Sequence, residues 1–411
     1  MLKYFRKVIS GSLSPNTESD DVWLTLQILL SPWRWMRGSA VRRTEEWFER
    51  NFSGNHALSF NSGRSALYAL LDAFNIGRND EVLVQAFTCV AVPNSVLWTG
   101  AKPVYVDIDA TLNIDIVDAA KKVTKRTRAI IVQHTLGLPA DMNSVMTFAR
   151  KHHLFVIEDC AHSLGVTFQG RKVGTFGDAA FFSFGRDKVL SSVFGGMAII
   201  SKSHGETWTK LKNFHKHLLY PSRFWVFQQL IHPVVFSIIL PIYNIGLGKV
   251  ILVLSQRIKL LSFPVYPIEK QGRKPIDFPA KYPNGLALLL TKQLAKLTRY
   301  NAIRKERAAK YITVLEKAKG FELLSYPKES IYLRFPVLAV DPERLRRNAK
   351  NEGILLGNWY HNVIDPVGVD FKSVSYVRGS CPRAESVAKH ILNFPTLLTS
   401  RQIDFVIKKC V

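Results

Sequence analysis

Cysteine is scarce in this chain: Cys89, Cys160, Cys381 and Cys410 are the only four, and none stands in a C-x-x-C or Cys/His cluster. That spacing argues against a disulfide framework or a structural zinc site and suits a reducing compartment. Acidic residues are also few, 32 against 56 Lys and Arg, which leaves a net charge of +24. Such an excess favours polyanions: nucleic acid, nucleotide-linked substrates or an anionic membrane surface. No helix-turn-helix, zinc-finger or RNA-binding signature is present, so only charge speaks for nucleic acid, and no nucleic-acid partner is expected. The basic start, Met1 to Lys7, leads into no continuous apolar run or small-residue cleavage site, which argues against a secretory signal. Internal repeats and low-complexity tracts are missing as well.

What is there is an ordinary globular composition. With 47% hydrophobic and 21% charged residues, 411 positions suffice for a large domain plus a smaller one. From Ala57 the pattern runs strand, glycine turn, helix, and then repeats. Residues 57–60, 81–84, 103–109, 129–133 and 153–159 read as short, largely apolar strands between helical stretches. This predicts an α/β fold, a mostly parallel sheet with helices on both faces. The β/α alternation after Arg299 predicts a smaller α+β C-terminal domain.

The chemistry concentrates around residues 174–188. An apolar run, 179–184, is interrupted only by Ser183 and bounded by glycines, and a short Gly-Arg-Asp link then presents Lys188. A lysine at the end of a buried strand can lose solvent and act as an amine, as Schiff-base chemistry requires. The alternative is a solvated surface charge. Asp159 ends another buried strand, where it could hold a protonated heterocycle nitrogen or serve as a helix cap or ion-pair partner. His162 could touch a ring or be a satisfied loop histidine. Asn61-Ser62-Gly63-Arg64-Ser65 opens a helix whose free amides could cradle a phosphate, although serine caps helices everywhere.

Several motifs in order carry a resemblance. Phe60 to Leu67, Gly100 to Val104 with Val106 to Asp109, Gly137 to Met142, Glu158 to Ser163 and Ser183 to Lys188 resemble the DegT/StrS-type sugar aminotransferases. These are pyridoxal 5'-phosphate enzymes of fold type I, the aspartate aminotransferase architecture. The match covers about residues 45–205, with a second set, Gly353-Ile354 and Cys381 to Pro395, in the C-terminal domain. The resemblance implies that Lys188 links the cofactor and shuttles a proton, that Asp159 pairs with the ring nitrogen, and that His162 contacts the ring. It implies phosphate contacts from Ser183 and the Gly63-Arg64-Ser65 turn. Lysine at 188, where related sugar dehydratases carry histidine, implies transamination. It further implies a nucleotide-linked or lipid-linked keto-sugar substrate, an amino acid such as glutamate as donor, use of the product in surface glycans, and a homodimer. The chain departs from the family where Cys89 follows Thr88 in place of a ring-stacking aromatic, leaving Phe87 for that role, and where Arg64 replaces a smaller residue. Asn284 is the candidate for the asparagine that a partner subunit contributes. A non-catalytic relative serving as a membrane-associated partner is the alternative that Cys89 favours and Lys188, Asp159 and Ser183 oppose.

The remaining departure is an insertion. Residues 224–248 contain no Asp, Glu, Lys or Arg over 25 positions, and about 20 apolar residues can span a bilayer. Pro233, Pro241, Gly246 and Gly248 break the run. A single crossing would split one fold across the membrane, so a hairpin dipping into one leaflet is expected, with 224–254 making peripheral contact on the cytoplasmic face. Basic flanks would add about 1 kcal/mol per charge near anionic headgroups. Burial against a dimer partner is the other reading. The stretch 22–37, with three tryptophans beside leucines and arginines, could likewise lie in an interface or pack on the body. The expected organisation is a basic, Trp-rich extension (1–44), a large domain (45–210), an apolar insertion (211–280) and a connecting helix with the small domain (281–411).

Overall fold

A computed structural model describes residues 8–411, so the basic start at 1–7 lies outside the described residues. Seven strands form the central sheet: β1 (Asn55–Phe60), β2 (Glu81–Gln85), β3 (Lys102–Val106), β4 (Thr127–Gln133), β5 (Phe155–Asp159), β6 (Ala179–Ser183) and β7 (Gly196–Ser201). Their order is β1-β7-β6-β5-β4-β2-β3, and β7 alone runs antiparallel to its neighbours. Strands covered on both faces must be apolar nearly throughout, which is why Val82, Leu83, Val84 and 129–132 are buried without alternation. The parallel strands, together with β1, end on one edge, and register aligns that edge. Asp159 lies opposite Gln133 on one side, with Phe181 opposite on the other, and Ser183 lies opposite Gly196. Every loop leaving these ends enters one place.

The small domain holds a three-stranded antiparallel sheet of β8 (Phe321–Glu322), β9 (Arg334–Ala339) and β10 (Ile391–Pro395). Phe335, Val337, Leu392 and Phe394 pack there with Ile403 and Val406 from the last helix. The α/β class with a mostly parallel sheet therefore stands as expected.

Two parts of the expected organisation differ. The stretch 8–44 is not an appended extension. Helix α1 (Ser19–Leu29) packs against α4 (Arg223–Ile239) and α6 (Asn284–Leu294). Lys296 bridges Glu18, Asp20 and Asp21 at 3.0, 2.6 and 2.9 Å, and Ile9–Ser10 pairs with Ile354–Leu355 of the small domain. Nor is 211–280 one insertion. Residues 211–217 belong to α3 (Gly205–His217), which packs on α2 (Gly63–Ala73). Only α4 and α5 (Leu247–Arg257) form a hairpin, and residues 263–281 return to the body. Among the described residues no helix is long and apolar enough to cross a membrane. Gln228, Gln229 and His232 are buried in α4, and that face packs inward with Trp225, Val226 and Leu230.

Candidate active site

Beyond β6 the chain turns sharply, with Lys188 N–H donating to Gly185 O at 3.2 Å. The turn is held from both ends of the sequence. Asn16 Nδ2 donates to Lys188 O at 2.8 Å and to Val189 O at 3.0 Å. Arg304, from helix α7 (Leu297–Leu315), donates to Val189 O at 2.8 Å. So fixed, Lys188 Nζ lies 2.9 Å from His162 Nε2 and 4.9 Å from the centre of the Trp359 ring.

His162 is buried, and its Nδ1 accepts the Leu136 N–H at 3.3 Å. A neutral imidazole then carries its proton on Nε2, so an N–H faces the lysine. Burial, then Lys188 and Arg334, hold the ring well below the usual histidine range, which keeps it neutral. Its face stacks on Trp359 at 5.3 Å and 19°.

Two neighbouring carboxylates at the end of β5 have opposite fates. Glu158 accepts backbone N–H groups from Gly174, Phe176 and Gly177 at 2.6, 2.7 and 2.8 Å and is paired with His134. Its capacity is spent on structure. Asp159 accepts the Ala161 N–H at 2.9 Å and lines the cavity. Burial pushes it up to about 6, with the Ala161 amide, Lys188 and His134 opposing. A buried acid raised in this way is short of a cationic partner.

Across the cavity α2 begins at Gly63, capped by Ser62, whose hydroxyl accepts the Ser65 N–H. A Cβ on Gly63 would lie 2.8 Å from Ser183 Cβ. Glycine lets the helix N-terminus approach Ser183 this closely, where free amides and a hydroxyl together can hold an anion. The whole cavity is about 350 Å³ and is lined by Gly63, Arg64, Asp159, His162, Ser183 and Lys188, among others.

Four expectations are placed differently. Ser65 does not line the cavity, because its hydroxyl bonds Asn61 Oδ1 and Ser62 Oγ, both at 2.8 Å. Arg64 lines it but commits its guanidinium to Glu269 and, at 2.6 Å, to Pro264 O, which leaves backbone rather than side chain for a phosphate. Phe87 is buried in the core, edge-on to Tyr360 at 5.3 Å, and Cys89 stands at the cavity instead. Burial raises the Cys89 thiol above its ordinary range. Asn284 is occupied within its own chain, accepting Ala40 N–H at 3.1 Å and donating to Arg34 O at 2.7 Å.

Sequence reasoning missed the wall supplied by the small domain. Trp359 stacks with His162 and lies against Arg334, whose Cζ is 3.5 Å from the ring centre. Arg334 in turn donates to Asp187 at 3.2 Å, and Tyr360 Oη lies 3.4 Å from His162 Nε2. Adjacent aromatics in a polar loop, Gly357-Asn358-Trp359-Tyr360, were the available signal. Also missed were Phe263 and Pro264, which line the cavity from beyond the hairpin.

These residues fit pyridoxal 5'-phosphate. The glycine-dependent niche at a helix N-terminus suits its phosphate, the buried Asp159 suits a protonated ring nitrogen, and Lys188 lines the same cavity. Comparisons agree with the geometry. The family model described as the DegT/DnrJ/EryC1/StrS aminotransferase family matches residues 16–230 and 266–410. A "pleiotropic regulatory protein" of Geobacillus stearothermophilus is 28% identical over 92% of this chain and 90% of its own length. The UDP-N-acetyl-3-dehydro-alpha-D-glucosamine 3-aminotransferase of Acidithiobacillus ferrooxidans is 42% identical, but over 39% of this chain and 44% of its own. That match spans less than half of the relative. Among solved structures, DesV of S. venezuelae in complex with a ketimine intermediate superposes with a TM-score of 0.72 at 25% identity, covering 95% of this chain and 93% of that one. With a family model matched across the sheet, the lysine turn and the small domain alike, the chain belongs to the DegT/DnrJ/EryC1/StrS aminotransferase family.

Proposed function

We propose that the protein is a pyridoxal 5'-phosphate-dependent aminotransferase that converts a keto-sugar, carried on a nucleotide, to an amino sugar for glycan assembly, with an amino acid as donor. One observation carries this reading: the Lys188 amine, the uncompensated Asp159 and the Gly63–Ser183 niche share one cavity. The nucleotide-sugar substrate follows the name of the UDP-sugar relative and the basic excess of this chain. When bound, the cofactor supplies an electron sink that allows nitrogen to pass between amino acid and sugar.

The chain's own residues do the rest. Lys188 Nζ, held by the clamped turn, is the group that moves a proton at the reacting carbon. Asp159 holds a proton at the ring nitrogen by the favourable pairing its burial demands. The amides of Gly63 and Arg64, with the Ser183 hydroxyl, hold the phosphate. Trp359 covers His162 and limits water around the lysine. Work as a homodimer belongs to the same proposal, on the family likeness. So does cytoplasmic placement, which the four free thiols suit.

A second reading, a non-catalytic relative, is favoured by Cys89 standing at the cavity where the family carries an aromatic. Borohydride reduction of the purified protein with added cofactor, followed by peptide mass spectrometry, separates the two. Cofactor mass on the Lys188 peptide, missing in Lys188→Ala, is the expected result. No adduct would overturn the enzyme reading.

A further inference from the structure

Between Glu206 and Glu269 the chain has no Asp or Glu, yet it carries seven Lys and Arg. The hairpin of α4 and α5 sits in that stretch. The family model passes over residues 231–265, so most of the hairpin is an addition to a fold that is complete without it.

Helix α5 has two apolar faces. Ile251 and Leu252 pack inward on Phe236, Ile239, Leu240 and Leu261, with Gly248 and Ser255 buried beside them. On the other side Leu247, Val250, Leu254 and Ile258 are 51%, 53%, 52% and 70% exposed. Their spacing of three, four and four residues places them on one stripe. Lys249, Arg257 and Lys259 flank the stripe. An exposed apolar stripe edged by cations of one sign is the pattern of a helix that lies in the plane of a membrane interface.

We propose that the outer face of α5 docks on an anionic lipid bilayer. Charge complementarity selects this occupant over a second copy of the chain. A two-fold contact through this face would bring the same cations together, and the segment has no acidic residue to offset them. Phosphate-bearing headgroups supply the missing countercharge while the acyl boundary takes up the leucine, valine and isoleucine side chains. The helix lies on the bilayer without crossing it, since no described helix is long and apolar enough to span.

The docking face is also joined to the active site. Arg186, two residues before Lys188, donates to Ser262 O at 2.7 Å and to Ser262 Oγ at 2.6 Å. Ser262 donates to Gln229 of α4 at 2.8 Å, and Phe263 and Pro264 line the cavity. One continuous segment therefore runs from the exposed stripe to the cavity wall.

Flotation of the full chain on vesicles tests this without using activity, so its result is independent of the aminotransferase reading. Vesicles of phosphatidylglycerol mixed with phosphatidylcholine should carry the protein at low salt, and pure phosphatidylcholine should carry at least tenfold less. Leu247→Ser with Leu254→Ser, or Lys249→Glu with Arg257→Glu, should each lower flotation at least tenfold while leaving the thermal midpoint within a few degrees. All four side chains are peripheral to the core, so folding is not at stake. No flotation of the wild type, or flotation unchanged in both double variants, overturns the proposal. So does light scattering in which the leucine variant halves the mass of the free protein, which would assign the stripe to a contact between copies.

Discussion

The cavity at the sheet edge and the α4–α5 hairpin break the usual sorting of side chains in opposite directions. At the sheet edge, polar groups sit where water is excluded: Asp159, His162 and Arg334 are 4%, 2% and 2% exposed. On the hairpin, apolar groups sit where water is abundant. Each arrangement is unfavourable for the isolated chain, by unpaid desolvation in one case and by unburied surface in the other. A cationic ring nitrogen and a phosphate would relieve the first, and the lipid surface proposed above would relieve the second. A departure from inside–outside sorting thus states the chemistry of the missing partner.

The largest effect is expected at Lys188. Lys188→Ala should lower transamination at least ~10³-fold, the scale of a lost proton-transfer group, with a thermal midpoint near wild type. Single-turnover kinetics would check it, and residual activity above a tenth would place the proton transfer elsewhere. Asp159→Asn comes next, lowering kcat by about 10²-fold, and it also changes how stability depends on pH. In the folded cofactor-free protein Asp159 titrates at about 6 against an ordinary 3.8. The ionised form is therefore penalised in the fold, fully above pH 6 and not at all once pH is below the ordinary value. Cofactor-free protein should gain about 3 kcal/mol from this group as pH falls from 6 to below 4. Measured by urea unfolding relative to Asp159→Asn, wild type should gain this much across that range, and cofactor-loaded wild type should not.

Gly63→Ala ranks third. The new methyl would press on Ser183 Cβ at 2.8 Å, so cofactor affinity should fall about tenfold in an absorbance titration, equivalent to about 1.4 kcal/mol. Trp359→Phe is a milder probe of the covering wall. It should cost about 1 kcal/mol in denaturant unfolding and raise KM more than it lowers kcat. Smallest is Val250→Ser on the hairpin, where an exposed site predicts a stability change within about 0.5 kcal/mol. A larger loss would mean that α5 is core rather than docking surface.

Much of the sheet edge is legible in the residues because parallel strands declare themselves as apolar runs and deliver their last residues to one line. Asp159, Ser183 and Lys188 need no long-range information to be singled out. What escapes is whatever depends on distant pairing. Trp359 reaches the cavity from a loop about 170 positions beyond the lysine, and nothing local announces that Arg334 will lie against its ring. Arg64 reads as a phosphate ligand until Glu269, buried and far along the chain, takes its charge. Phe87 follows the same logic, since its ring sits edge-on to Tyr360 in a core that the small domain helps to close. The composition of 224–254 reveals an unusual segment. Its inward and outward faces emerge only once Gln228, Gln229 and His232 are seen to be buried with the apolar side of α4.

The grip on the lysine turn also sets an order of events during synthesis. Asn16 has emerged long before Lys188 exists, but Arg304 and the Trp359 wall come late. A nascent chain can complete its central sheet at Ser201 and still lack the parts that hold its reactive amine. The site is thus withheld until the last quarter of the chain has left the ribosome and folded, and the sheet's own cover, Leu286 and Leu290 on Phe182 and Met197, arrives after the last strand.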